Sequence, residues 1–307
     1  MSGYSLANFA EVLFPSLDAV APKSVIEVGA YRGAFTAELL DWASKSGATI
    51  TAIEPEPPDE LEELISRHPE LEVVREPSHD ALRHLPRADV VILDGDHNYY
   101  TLSEELRLID EGATDAGLPL LLFHDVCWPH ARRDTYYAPD RIPEEHRQPI
   151  AEDAAVVPGD PGVVMMGLRY RYAAAREGGP RNGVLTAIED FIGGREDLRL
   201  AVVPAFFGLG IVWSHSAPWA DAVGDVVDPW DGNPILKRLE ENRLEHIVDH
   251  IHMENQQAVL RSFLHSRAFA LAERMSRIRQ GGEPVFSREQ VKRMLGESSR
   301  DESSRDD

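Results

Sequence analysis

Asp94, Asp96 and His97 fall within four positions, directly after the apolar run Val90-Val91-Ile92-Leu93. Such a run is the signature of a buried strand. The polar side chains released at its end want water, a metal or a proton partner. A second junction of the same kind ends "LPLLLFHD" (118–125), where the run closes in His124-Asp125. A strand that delivers titratable groups at its carboxyl end reads as the floor of an active site. His97 and His124 rank ahead of His130 as candidate bases, because strand ends are rigid supports.

These junctions need a frame that brings them together. "KSVIEVGA" (23–30), "ATITAIEP" (48–55), "LEVVRE" (71–76), "ADVVILD" (88–94) and "LPLLLFHD" read as strands. Helical spacing fills the intervals at 33–47, 58–69 and 101–111. Alternation of this kind predicts an α/β, doubly wound (Rossmann-like), mostly parallel sheet of seven strands, with ligands at the carboxyl ends. In it the fourth and fifth strands deliver Asp94 and the pair His124-Asp125 to neighbouring positions. Residues 126–182 lack clear periodicity and read as an insertion or lid. A helix over 183–194 and an antiparallel hairpin of 198–204 with 208–214 complete the domain, expected at 1–232. A helical extension (233–295) and a disordered tail (296–307) follow.

Two further features bear on the ligand. Glu27, Gly29 and Gly33 sit where the first strand meets its helix, as glycine must where backbone turns tightly or a ligand comes close. Their spacing is not the G-x-G-x-x-G of nicotinamide binders. Glu54 ends the second strand, where a carboxylate can accept both hydroxyls of a ribose.

Glu27-x-Gly29-x-x-x-Gly33, Glu54 and Asp94-Gly95-Asp96-His97 together resemble the class I S-adenosylmethionine-dependent methyltransferases. Within them the chain is most similar to small-molecule O-methyltransferases of the macrocin type. The resemblance implies S-adenosylmethionine as cofactor, contacted by Glu27, Gly29, Gly33, Glu54, Ser78 and Asp94. Glu27 would lie near the methionine amino end, Glu54 on the ribose and Ser78 beside the adenine. Tyr31 departs from the pattern, standing where many members carry a third glycine or another small residue. Metal-dependent relatives place a divalent cation between the fourth and fifth strand ends, which here implies Asp94, His124 and Asp125. Carboxylates suit Mg²⁺, and an imidazole shifts the preference toward Mn²⁺ or Fe²⁺. The cation would acidify an acceptor hydroxyl, and His124 or His97 would take its proton.

The same residues also have plainer readings. Asp94 could orient the cofactor's amino group, Asp96 could cap the next helix, and His124 could be a buried imidazole bonded to backbone. In "WPHARRDTYY", Arg132, Arg133, Tyr136 and Tyr137 are expected to grip the acceptor. His246 and His250 have the spacing of a helical metal pair but no third ligand.

The formal charge of −22 argues against nucleic acid and anionic membrane surfaces as partners. One cysteine, Cys127, and no leader-like start make the cytoplasm the expected compartment. The expected protein is thus an O-methyltransferase for a sugar or natural-product intermediate, forming a homo-oligomer through its C-terminal helices. The alternatives are a metal-independent carboxyl or N-methyltransferase, or a cofactor-binding protein acting through its tail.

Overall fold

The computed structural model describes residues 5–113, 117–280 and 291. A 3-10 turn over Leu6–Phe9, capped by Ser5, leads into α1 (Ala10–Val20). Then come β1 (Ser24–Val28), α2 (Ala34–Ser46), β2 (Thr49–Ile53), α3 (Asp59–Arg67), β3 (Glu72–Val74), α4 (Ser78–Ala81) and β4 (Val90–Leu93). After α5 (Tyr99–Glu111) and β5 (Leu120–His124), the expected insertion carries β6 (Ile150–Val156) and β7 (Leu168–Ala174). The chain continues with α6 (Val184–Ile192), β8 (Leu198–Val203), β9 (Leu209–Ser214), α7 (Ala220–Val227), α8 (Pro234–His265) and α9 (Arg267–Gln280).

Seven strands form one sheet in the order β3-β2-β1-β4-β5-β9-β8. The first five are mutually parallel, β9 runs antiparallel to β5, and β8 pairs with β9 at the edge. This is the expected mostly parallel sheet with a terminal hairpin. Parallel strands are covered on both faces, so their sequences are apolar throughout. Val90, Ile92, Leu120 and Leu122 pack with Leu13, Leu39 and Trp213 on one face. Val91, Leu93, Leu121 and Phe123 pack with Leu106 and Ile188 on the other. The register pairs Val28 with Leu93, and Val90 to Leu93 with Leu120 to Phe123. The carboxyl ends of β1, β4 and β5 therefore finish side by side.

The insertion is more ordered than its sequence suggests. β6 and β7 pair from Ile150↔Ala174 to Val156↔Leu168 as a separate two-stranded sheet. Alanines and charged residues have low strand preference, and they fill most of β6, which hides it from a periodicity search. The helices α1 and α7 also go beyond the sequence expectation.

Two compact units divide between Glu245 and His246, inside the continuous α8. The second unit, taken alone, presents Leu260, Phe263 and Leu271 to solvent. The expected disordered tail, 296–307, lies outside the described residues. Among the described residues no helix is long and apolar enough to cross a membrane.

Candidate active site

A cavity of about 490 Å³ opens over the carboxyl ends of β1, β2 and β4. Gly29, Asp94 and Gly95 form its floor, Glu54 and Glu56 one wall, and Pro77, Ser78, Tyr100 and Thr101 another. The insertion supplies a roof through Tyr137, Ala138, Arg141 and Ile142. The Arg141 guanidinium meets Glu56 at 3.2 Å, and His146 stacks on Tyr100 with ring centroids 4.6 Å apart. Neither contact could be read from a local motif, since each joins segments remote in sequence.

Gly29 has φ +88°, and a Cβ there would lie 2.1 Å from the Asp94 carbonyl oxygen. Its glycine is required by the approach of the β1 and β4 ends to one another, and it still lines the cavity. Gly33 belongs elsewhere. It precedes α2 with φ +75°, and a Cβ would meet Leu64 Cδ2 at 2.9 Å. Gly33, expected at the cofactor, packs closely against α3 and stands outside the cavity lining.

Tyr31 adopts φ +47° without being glycine, and its N–H donates to Glu54 Oε2 at 2.9 Å. The Glu56 N–H reaches Glu54 Oε1 at 3.3 Å, so the Glu54 carboxylate is fixed at the cavity wall. Glu27 is buried beneath this turn, and burial, with Asp94 and Glu54 nearby, pushes its carboxyl up to about 7. Thr36 offsets part of that shift, yet among the described residues Glu27 Oε2 has no partner in hydrogen-bonding geometry. A buried, unpartnered carboxylate oxygen fits a cationic ligand group.

At the β4 and β5 ends four side chains converge. Asp94 Oδ1 lies 3.2 Å from His124 Nδ1 and 3.6 Å from His97 Nε2. Asp125 Oδ2 lies 3.0 Å from His97 Nε2 and 3.6 Å from His124 Nδ1. Asp125 occupies the left-handed region at φ +59°, a conformation uncommon for an aspartate. Burial opposes charge throughout this cluster, but the mutual attraction outweighs it. His124 is lifted to about 9 by Asp125 and Asp94, and His97 is held well above its ordinary value, chiefly by Asp125. The imidazoles in turn hold Asp94 and Asp125 below the carboxylate range.

The expected role of His124 as a base is corrected by this geometry. Its Nε2 donates to the Phe206 carbonyl at 3.2 Å, its Nδ1 faces Asp94, and its side chain is 2% exposed. His97 is 13% exposed and lies under the Tyr137 ring, which makes it the better-placed imidazole. His130 lies between Thr135 Oγ1 (3.1 Å) and Tyr170 OH (3.4 Å), and burial pushes it down to about 3. Asp94, His124 and Asp125 offer ligand atoms within 4.8 Å of one another. With the far nitrogen of His124 fixed on a carbonyl, that donor set fits a divalent cation.

Asp96 is not the helix cap that its position suggests. Asn98 caps α5, accepting the Thr101 N–H at 2.8 Å. Asp96 instead accepts the Asn98 amide at 2.6 Å and the Tyr137 N–H at 3.0 Å, tying the floor to the roof.

Of the four expected acceptor-gripping residues, only Tyr137 lines the cavity. Arg133 is fully buried and donates to the Ala174, Pro161 and Gly162 carbonyls, bracing the insertion. Arg132 forks onto Glu189 at 2.6 and 2.7 Å. Tyr136 is buried, donating to Asp134 Oδ2 and accepting from the Gln148 N–H. Asp134, unremarked in the sequence, receives the Tyr99 and Gly183 N–H groups and so joins α5, the insertion and α6.

Residues 26–126 match the family model of a methyltransferase domain. That segment runs from β1 past the end of β5 and carries every strand end under the cavity. The chain is similar in structure to a Podospora anserina methyltransferase bound to S-adenosylhomocysteine, at 16% identity. That likeness covers 66% of this chain and 77% of the other, with a TM-score of 0.40. It is also similar to a candidate O-methyltransferase from Klebsiella pneumoniae (13% identity, 69% and 82% covered, TM-score 0.43). Human N-acetylserotonin methyltransferase with S-adenosylmethionine is a third (15% identity, 67% and 51% covered, TM-score 0.38). No curated protein matches the sequence. The family match lays a methyltransferase domain over β1 to β5 of this sheet.

Proposed function

We propose that this chain moves a methyl group from S-adenosylmethionine to a hydroxyl of a small molecule, a sugar or natural-product intermediate. The observation that carries the reading is the double position of Asp94. It lines the cavity and, 3.2 Å from His124, belongs to the acid–imidazole cluster at the β4 and β5 ends. Cofactor and reacting groups thus share one carboxylate at the strand ends, where such sheets bind ligands. Glu27 would take the methionine ammonium, Glu54 the ribose and Ser78 the adenine, with the cofactor passing over Gly29.

Asp94, His124 and Asp125 would hold a divalent cation, Mg²⁺ or Mn²⁺, whose chemistry when bound is to acidify the acceptor hydroxyl. Asp94 would orient the acceptor oxygen, and His97, in its neutral form with Asp125 engaged by the cation, would receive the proton. Tyr137 covers the acceptor, and the roof pinned by Asp96 and Arg141 keeps water out. The oxygen then attacks the sulfonium methyl in line, and the cofactor leaves as a thioether. We place the protein in the cytoplasm, with self-association through α8 and α9 as its assembly.

The test is transfer of an isotopically labelled methyl group to a panel of hydroxylated sugars and glycosides. The reading expects label in an ether product with matching release of S-adenosylhomocysteine, suppressed by EDTA and restored by Mg²⁺ or Mn²⁺. Label appearing only in esters or amines would overturn the hydroxyl assignment, and full turnover after exhaustive chelation would remove the metal.

A further inference from the structure

Glu105, on α5, reaches beneath the cavity floor. It is 2% exposed, and its Oε1 lies 2.5 Å from the Ser78 hydroxyl oxygen, which lines the cavity. A Cβ built on Gly95, a floor residue, would sit 3.8 Å from the same carboxyl oxygen. The carboxyl is therefore one hydroxyl away from any ligand, yet makes no lining contact itself. Two titratable groups face it, Asp96 and His97, both from the loop after β4. Among the described residues no Arg or Lys pairs with it. A carboxyl buried beside a hydroxyl and another acid is best held as the neutral acid.

We propose that Glu105 is a positioning residue that works as a neutral acid, donating to Ser78 so that the Ser78 hydroxyl points its own proton into the cavity. The inference rests on the reading that this cavity takes the adenosyl group. A hydroxyl has one proton to give. While Glu105 is protonated it supplies the hydrogen of the Glu105–Ser78 bond, and Ser78 O–H is free to donate to a ring nitrogen. Once Glu105 ionises, Ser78 must donate to the carboxylate, and the ring nitrogen faces lone pairs only. Pro77 and Tyr100 beside Ser78 supply flat surfaces suited to a heteroaromatic ring. Burial, reinforced by Asp96, lifts Glu105 to about 8, against smaller opposition from Ser78 and His97. The change of state thus falls just above neutrality.

The experiment is calorimetric titration of the full chain with S-adenosylhomocysteine from pH 6.5 to 9.5. Wild type, Glu105→Gln and Ser78→Ala are compared at each pH, so that titration of the ligand itself cancels in the ratios. The Gln amide keeps a donor on Ser78 at every pH. The wild type is expected to bind like Glu105→Gln at low pH and to fall behind it by about fivefold to tenfold above pH 8.5. Ser78→Ala should be weaker than wild type at low pH and draw level with it at high pH. A wild-type to Glu105→Gln ratio that stays constant with pH overturns the inference while leaving the cofactor reading intact. Absence of binding by the folded wild type at every pH overturns both.

Discussion

Asp94 at the end of β4 and His124 at the end of β5 face each other at 3.2 Å across two adjacent parallel strands. The pairing follows from register. Leu93 lies opposite Phe123, so Asp94 and His124 follow at the same level, Asp94 just past β4 and His124 still paired with Leu209 of β9. His97 and Asp125 complete the cluster from the following loops. Strand ends built this way concentrate four ionisable side chains in one cluster.

His97→Asn tests which imidazole takes the proton. The variant keeps a small polar side chain, so its S-adenosylhomocysteine affinity should stay within a few-fold of wild type. Turnover with a labelled acceptor should fall by about 10²–10⁴. A His97→Asn enzyme with unimpaired turnover would return the role to another group.

Gly29→Ala bears on the floor itself. The methyl group would enter a space already held by the Asp94 carbonyl, at a backbone angle that favours glycine. Loss of about 2–4 kcal/mol in urea unfolding is expected. A neutral result would mean that the β1 and β4 ends are not in contact.

Arg133 and Tyr137 should separate cleanly. Arg133→Ala strips three carbonyls, that of Ala174 buried, of their donor and should cost about 3 kcal/mol of stability. Tyr137→Ala should leave stability nearly unchanged and raise the acceptor KM. Denaturant melts and initial rates distinguish the two, and the reverse pattern would restore Arg133 as an acceptor grip.

Stability should decline from mildly acidic to mildly alkaline pH because of Glu105 and Glu27. Burial raises them to about 8 and about 7 from an ordinary value of 4.5. Between those limits the folded chain keeps protons that the unfolded chain has released, so rising pH favours unfolding. The contribution is fully present below 4.5 and gone above about 8. Glu105→Gln should flatten the upper part of that slope, by a Tm difference on the order of 5 °C. Parallel melting curves for the two proteins would contradict the buried acid.

Much of this architecture was legible in sequence because parallel strands are apolar on both faces. Val90 to Leu93 and Leu120 to Phe123 announce themselves, and so do the acids at their ends. Partnership was not legible. Arg132 and Arg133 have the side chains of an anion grip, but their partners, Glu189 and carbonyls at the end of β7 and before it, lie some 30 to 60 residues away. Asp96 has the residue type of a cap, but the cap is Asn98, two positions on. Glu105 sits in an ordinary helical pattern, and nothing local marks it as the partner of Ser78. Gly33 shows the limit of motif reading, since packing against Leu64 calls for glycine as strongly as a ligand does.

The most direct test of the account is calorimetric titration of the purified chain with S-adenosylmethionine, alongside Glu54→Ala. The account predicts saturable one-to-one binding at micromolar concentration, weakened about tenfold or more in the variant. Absence of saturable binding by the folded protein at millimolar cofactor, or equal affinity in Glu54→Ala, would contradict it.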